Sequence, residues 1–297
     1  MFLTKAALLG ARVLRKAARL LESFGDAQTV AIRRSMGCHD MSVHPDELHY
    51  FEQYWAAIEP ALEAHLPLHA GTVLDLGCGQ GRMTVPVARW LRSGEVTGVD
   101  LTPSAIQAAR TYASVAGVRG VTFVDGDALE FAAAVAANAV DAVLMLEVPF
   151  FMPRYRELIR RAGVILKPGG LLAVSFRPQY YNLLGAVRAG DWASSRLVRD
   201  VREGHWLGGS SWFSWHTPED VRTLLVEAGF RVDSVLGIGQ FSGIEGDPLS
   251  AIAQPSKLSP EARAQLLSLE LSMAEEYPGN GRYILALATK PLEALKQ

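Results

Sequence analysis

The chain has 297 residues, 49% hydrophobic and 20% charged, with a formal net charge of −2. That length and composition bury a sizeable core, which excludes disorder, collagen-like repeats and a disulfide-stapled miniprotein as overall classes. No run of about 18 uncharged apolar residues occurs, which argues against a membrane-spanning helix, and two cysteines, Cys38 and Cys78, suggest neither a disulfide framework nor a thiolate zinc site.

Residues 2–24 read as one amphipathic helix. Phe2, Leu9, Val13, Leu14, Leu20, Leu21 and Phe24 share a broad face, and Lys5, Arg12, Lys16 and Arg19 lie opposite, with Arg15 at the edge. Setting these five cations aside leaves a body near −7, roughly, which argues against a broad nucleic-acid surface. The cations interrupt the apolar stretch, unlike a signal peptide. Such a helix suits docking on protein, homodimer contact included, peripheral contact with an anionic membrane, or organellar targeting. Residues 25–45 read as a connector or lid. His39, His44 and His49 lack helical ligand spacing, and no metal is expected.

A helix is expected over Glu47–Leu66, stopped by Pro67 and Gly71. Strand and helix signals then alternate. Strands are expected at Thr72–Leu76, Glu95–Asp100, Val121–Val124, Val140–Leu146 and, after the turn Gly169–Gly170, Leu171–Phe176. Helices fall between them: one ending at Leu91, one from Pro103 to Val115, a weak one at Phe131–Ala136 and one at Arg154–Ala162. Helix Glu219–Ala228, strand Arg231–Leu236, helix Pro260–Glu276 and strand Tyr283–Ala288 complete the chain. Apolar strands alternating with helices imply a parallel sheet covered on both faces. Two insertions, about 177–216 and 237–281, break the rhythm, and connections that long usually carry function.

The segment DLGCGQGR, from Asp75 to Arg82, joins the first strand to its helix. Gly77, Gly79 and Gly81 permit a tight turn and close approach of a ligand to backbone. Asp100 ends the next strand, where a carboxylate can accept both hydroxyls of a ribose. The spacing GxGxG departs from the dinucleotide fingerprint GxGxxG, and no Walker lysine follows.

DLGCGQGR, then GVD, DGDALEF and LKPGG, in this order over about residues 50–288, resembles the class I S-adenosylmethionine-dependent methyltransferases. The resemblance implies a Rossmann-like α/β fold, with a seven-stranded sheet of order 3-2-1-4-5-7-6, the last strand antiparallel and helices on both faces. It implies that Gly77–Gly81 line the amino-acid end of the cofactor, that Cys78 touches it, and that Asp75 fixes the loop and the methionine amino group. It places Asp100 on the ribose, Leu101 on the adenine, and Asp127 and Ala128 near the adenine amine. It sets Glu147 facing the transferred methyl, to orient an acceptor hydroxyl or amine or to bind the methionine amino group. It lets Tyr50, one turn before Tyr54, help close the pocket. On this reading residues 1–45 form a helix and lid, and 46–297 the methyltransferase domain.

Glu147-Val-Pro-Phe-Phe stands where exocyclic-amine methyltransferases of DNA and protein carry Asn/Asp-Pro-Pro-Tyr/Phe, and no thiol is placed for cytosine C5 chemistry. The first insertion holds Tyr180, Tyr181, Trp192, Trp206, Trp212 and Trp215, a composition suited to roofing an apolar or aromatic acceptor. His216 and His205 are candidate bases, because imidazole titrates near neutrality. Tyr180 is a further catalytic or substrate contact, Tyr181 and Glu245 are substrate contacts, and Arg177, Arg188, Arg196, Arg199 and Arg202 could meet an acceptor carboxylate or phosphate. The expected function is methyl transfer from S-adenosyl-L-methionine to an oxygen or nitrogen of a small molecule, in the cytoplasm or at a membrane surface. RNA or protein methylation and a non-catalytic scaffold are the alternatives.

Overall fold

The computed structural model describes residues 44–205 and 211–292. The amphipathic leader, the lid segment before His44, and Trp206 lie outside them. In chain order the described elements are α1 (Pro45–His65), β1 (Ala70–Leu76), α2 (Thr84–Trp90), β2 (Ser93–Asp100), α3 (Pro103–Val115), β3 (Val121–Asp125), α4 (Ala128–Ala134), β4 (Val140–Met145), α5 (Tyr155–Ile165), β5 (Leu166–Phe176), α6 (Gln179–Arg188), α7 (Trp192–Asp200), β6 (Glu203–His205), β7 (Trp212–Ser214), α8 (Pro218–Glu227), β8 (Arg231–Ile238), α9 (Pro260–Met273) and β9 (Tyr283–Thr289). Among the described residues no helix is long and apolar enough to cross a membrane.

The main sheet has seven strands in the order β3-β2-β1-β4-β5-β9-β8. Only β9 runs against its neighbours, antiparallel to both β5 and β8. Since β6 and β7 form a separate hairpin, β8 and β9 are the sixth and seventh strands of the expected order.

Two-residue alternation along the central strands explains why both faces are apolar. Val143 and Met145 of β4, Leu172 and Val174 of β5, and Ile284 and Ala286 of β9 pack under α4, α5 and α8. The intervening Leu144, Ala173 and Leu285 pack with α1 and α2 on the other face. A satellite cluster seats α3 through Ile106 and Ala109 against Phe123 and Cys78.

Strand β5 starts five residues before the expected Leu171. Its first residue pairs with Val140, and regular pairing resumes at Ala142 with Leu171. The residues around Gly169, which has φ of +80°, are an excursion within one strand. Asp141 holds it, accepting from Lys167 Nζ at 2.7 Å and Thr72 N at 2.9 Å. The first insertion is helical where a long loop was expected. Asp191 starts α7 by accepting from Ser194 N at 2.9 Å.

The second insertion is fastened to α1 by buried carboxylates. Asp46 accepts from Ser256 N at 2.6 Å. Glu270 of α9, fully buried, takes Phe241 N at 2.8 Å and Ser242 N at 2.9 Å on Oε1. Its Oε2 takes Gln53 Nε2 at 2.8 Å and lies 2.7 Å from His49 Nε2. Glu270→Gln turns one acceptor oxygen into a donor facing donors, and is expected to lower stability by about 2 kcal/mol. A urea midpoint unchanged from wild type contradicts this role.

Candidate active site

The candidate site lies at the C-terminal ends of β1, β2 and β4. Gly77 N donates to Val99 O at 2.7 Å as the chain leaves β1. Gly77 has φ of +85°, and a Cβ there would lie 2.1 Å from Val148 Cγ2. Only glycine fits, because the backbone passes directly beneath the turn that follows β4. Thr84 Oγ1 at the start of α2 donates to Asp75 Oδ2 at 2.6 Å, tying together the two ends of the glycine loop. Burial pushes the Asp75 carboxyl up to about 6, against the opposing Thr84 bond, with Asp100 adding to the rise.

Asp100 takes Gly79 N at 2.9 Å on Oδ2 and Thr102 N at 2.8 Å on Oδ1. Its carboxyl is raised by burial, although both amides oppose the shift. Each oxygen retains a lone pair beyond the amide it accepts, so the group is positioned to receive two further donors. Leu101 follows, half-buried. Asp127 Oδ1 caps α4, accepting from Leu129 N and Glu130 N, both at 2.9 Å, and Ala128 opens that helix. Cys78 is buried against Gly98, and burial drives its thiol far above the ordinary range, so it is an inert packing group.

Glu147 follows β4 at φ of +62°, unusual for a residue with a side chain. Its N–H donates to Ser175 Oγ at 2.7 Å. Arg82 bridges Glu147 and Glu47 of α1, each at 2.5 Å. Burial alone would raise the Glu147 carboxyl. The Arg82 charge and hydrogen bonds from Tyr283 and Arg82 outweigh it and hold the group below the usual carboxylate range. Sequence reasoning missed Arg82, Glu47 and Tyr283 as site residues, although Arg82 closes the quoted glycine motif.

Several expected site residues lie elsewhere. Tyr50 is fully buried in the core and donates to Ser242 O at 3.0 Å, so it packs the insertion instead of facing the loop. Tyr54, one turn on, instead stands near Glu147 and Ser175. His216 is buried edge-on to Tyr155 and Phe176, on the core face beneath α5 and α8. Burial, with Arg156 and Arg202 nearby, lowers its imidazole to about 4. A base is required where the acceptor binds, and this ring is sealed in packing. His205 is exposed on the β6–β7 hairpin opposite Trp212. Trp215 is fully buried and donates to Val201 O at 2.7 Å, which makes it a structural anchor for α7 and not a substrate wall. Trp212 packs on Tyr155. Glu245 is exposed.

Of the two tyrosines of the insertion, Tyr180 faces an opening and Tyr181 is buried. Tyr180 lines a groove of 290 Å³ with Leu184, Phe241, Ile252 and Tyr277, while Tyr181 stacks under the Arg177 guanidinium at 4.5 Å.

The His216 environment sets a pH dependence. Its folded value, about 4, lies below the unfolded value near 6.5, so below that the unfolded state binds more protons. The stability is present above about pH 6.5 and is lost as pH falls toward 4. His216→Phe is expected to remove this loss and to leave methyl transfer intact. Thermal melts from pH 4 to 7 check the first outcome, and a hundredfold loss of activity at neutral pH would restore the base role.

A methyltransferase domain model matches residues 73–170. A ubiquinone biosynthesis O-methyltransferase of Azorhizobium caulinodans is 31% identical over 174 residues, covering 58% of this chain and 63% of that one, just under two thirds of its length. A protein of the same name from Cereibacter sphaeroides is 29% identical over 191 residues, covering 63% and 71%. The solved structure of a SAM-dependent methyltransferase from Methanosarcina mazei shares the fold, with a TM-score of 0.51 at 19% identity, covering 79% of this chain and 98% of that one. Sheet order, glycine loop and these likenesses agree: the chain carries a methyltransferase domain with the class I S-adenosylmethionine-dependent methyltransferase fold.

Proposed function

We propose that this protein methylates a hydroxyl oxygen of a small aromatic acceptor with an apolar substituent. The observation that carries the reading is the glycine loop held between Asp75 and Asp100, with Glu147 fixed across from it by Arg82. A tight loop in which Gly77, Gly79 and Gly81 all take positive φ, and a carboxylate with acceptor capacity left at Asp100, fit S-adenosylmethionine. When bound, the cofactor supplies an electrophilic methyl group on a sulfonium. Asp100 accepts the ribose hydroxyls, Gly77–Gly81 bring backbone close to the amino-acid end, and Leu101, Asp127 and Ala128 border the adenine. Glu147, kept ionised by Arg82, accepts a hydrogen bond from the methionine ammonium or the acceptor hydroxyl. Alignment of the nucleophile supplies most of the catalysis in such a displacement.

Oxygen as the accepting atom follows the names of the relatives, which are O-methyltransferases. The apolar groove along Tyr180 supports an apolar substituent. RNA or protein methylation finds little support in the arginines of the first insertion. Arg202 pairs with Asp220 at 2.5 Å and Arg199 with Asp200 at 2.7 Å, while Arg188 donates to the Asp247 carbonyl. We further propose that residues 1–45 act as an appended helix and lid on a cytoplasmic enzyme.

Calorimetry with S-adenosylmethionine, followed by transfer of labelled methyl to catechol-type acceptors, tests the reading. Label that partitions into organic solvent is expected. No cofactor binding, or label retained on RNA or protein, overturns it.

A further inference from the structure

We propose that Arg177 and Arg282 form a receptor for one carboxylate on the methyl acceptor. This rests on the methyl-transfer reading and assigns the acceptor a chemical class, an aromatic carboxylic acid.

The two arginines differ from the other cation of the site. Arg82 has two carboxylates. Arg177, at the end of β5, has none among the described residues. Its one hydrogen bond there is from Nη1 to the Arg282 carbonyl at 3.2 Å. Three aromatic rings, those of Phe150, Tyr181 and Tyr283, approach its guanidinium carbon at 4.5, 4.5 and 4.6 Å. Arg282 is only 8% exposed. Asp247 Oδ2 comes within 3.2 Å of its Nη1, but Nε and Nη1 make no aligned hydrogen bond. A buried guanidinium with unspent donors costs free energy until an acceptor reaches it. Helix α6 adds to the same field. It starts two residues after Arg177, has no side-chain cap, and its Tyr181 ring touches the guanidinium.

The chemistry favours carboxylate over phosphate. Aromatic rings leave the in-plane N–H groups of a guanidinium without strong acceptors, and two such parallel N–H groups match a planar carboxylate. Asp247 beside Arg282 repels a dianion more strongly than a monoanion. Tyr283 links this place to the reaction centre. Its ring meets both guanidinium groups, and it stands near Glu147. Arg177, Arg282 and Glu147 thus all neighbour one tyrosine, a grouping that suits a small hydroxybenzoate with its carboxylate on the arginines and its hydroxyl toward Glu147.

The test uses the full chain and two probes, 3,4-dihydroxybenzoate and its neutral isostere 3,4-dihydroxybenzamide, titrated with and without saturating S-adenosylhomocysteine. The acid is expected to bind at least about tenfold more tightly than the amide. Arg177→Met is expected to erase that preference while leaving the amide and S-adenosylhomocysteine affinities within about twofold. Arg177→Lys, which keeps charge without the fork, is expected to retain part of it, and guards against a variant that fails to fold. Equal binding of acid and amide by the wild type overturns the proposal, as does a preference that survives in Arg177→Met. Inorganic phosphate displacing the acid at equal concentration overturns the carboxylate assignment. Failure of S-adenosylhomocysteine to bind overturns the cofactor reading instead, since the acid–amide comparison is still read without it.

Discussion

Asp100→Ala is expected to weaken S-adenosylmethionine binding by at least about 100-fold, since two ribose hydrogen bonds to a carboxylate are worth about 1.5–3 kcal/mol each. The substitution also removes the acceptor for Gly79 N and Thr102 N, so the glycine loop loses its tie to the end of β2. Asp100→Asn separates the two contributions. It keeps one carbonyl oxygen for an amide but offers a donor where the other amide or a hydroxyl donates. Its affinity is expected to fall between wild type and alanine. Titration calorimetry with S-adenosylhomocysteine reads all three proteins, and a thermal melt establishes that each is folded. An alanine variant that binds within threefold of wild type removes Asp100 from the ribose.

What the sequence made legible was local. Val140–Met145 is nearly all apolar because both faces of β4 are covered, and a continuous apolar run flanked by turns announces that by itself. The three glycines and Asp100 sit at strand ends and the turns beside them, so the strand pattern places them at the C-terminal ends of a parallel sheet, while Asp75 and Asp127 enter through the resemblance to the methyltransferases. The rest depends on closure of the chain. Arg82 reads as an ordinary cation until α1 brings Glu47 to it and the turn after β4 brings Glu147. Tyr283 reads only as the start of the final strand, yet antiparallel pairing with β5 brings it to Phe150 and Arg177. His216 misled for the opposite reason. Its titration range suggested a base, whereas Thr217-Pro218-Glu219 after it carried the signs of a helix start. The capping box from Thr217 to Asp220, with Thr217 N donating to Asp220 Oδ2 at 2.8 Å, holds that segment beneath α5.

Arg82→Met carries the largest expected effect on stability. Glu47 and Glu147 are almost buried, with side chains 7% and 16% exposed, and Arg82 is the cation each meets at 2.5 Å. Removing one member of a buried ionic group leaves uncompensated charge, which costs about 3–5 kcal/mol. The pH dependence identifies the cause. In the wild type the folded value of Glu147 is depressed, so its contribution is present above the unfolded value and is lost as pH falls through the folded one. Without Arg82, burial dominates and the folded value rises above the unfolded value. The folded state then binds more protons, and stability falls as pH rises toward neutrality. The urea midpoint of Arg82→Met is therefore expected to be higher at pH 5 than at pH 8, the reverse of the trend this group imparts to the wild type. Glu147→Gln introduced into Arg82→Met should recover part of the loss at pH 8, because it removes one of the stranded charges. A single variant within about 1 kcal/mol of wild type at pH 8, or a double variant no more stable than the single, shows that the bridge does not hold α1 to the turn after β4.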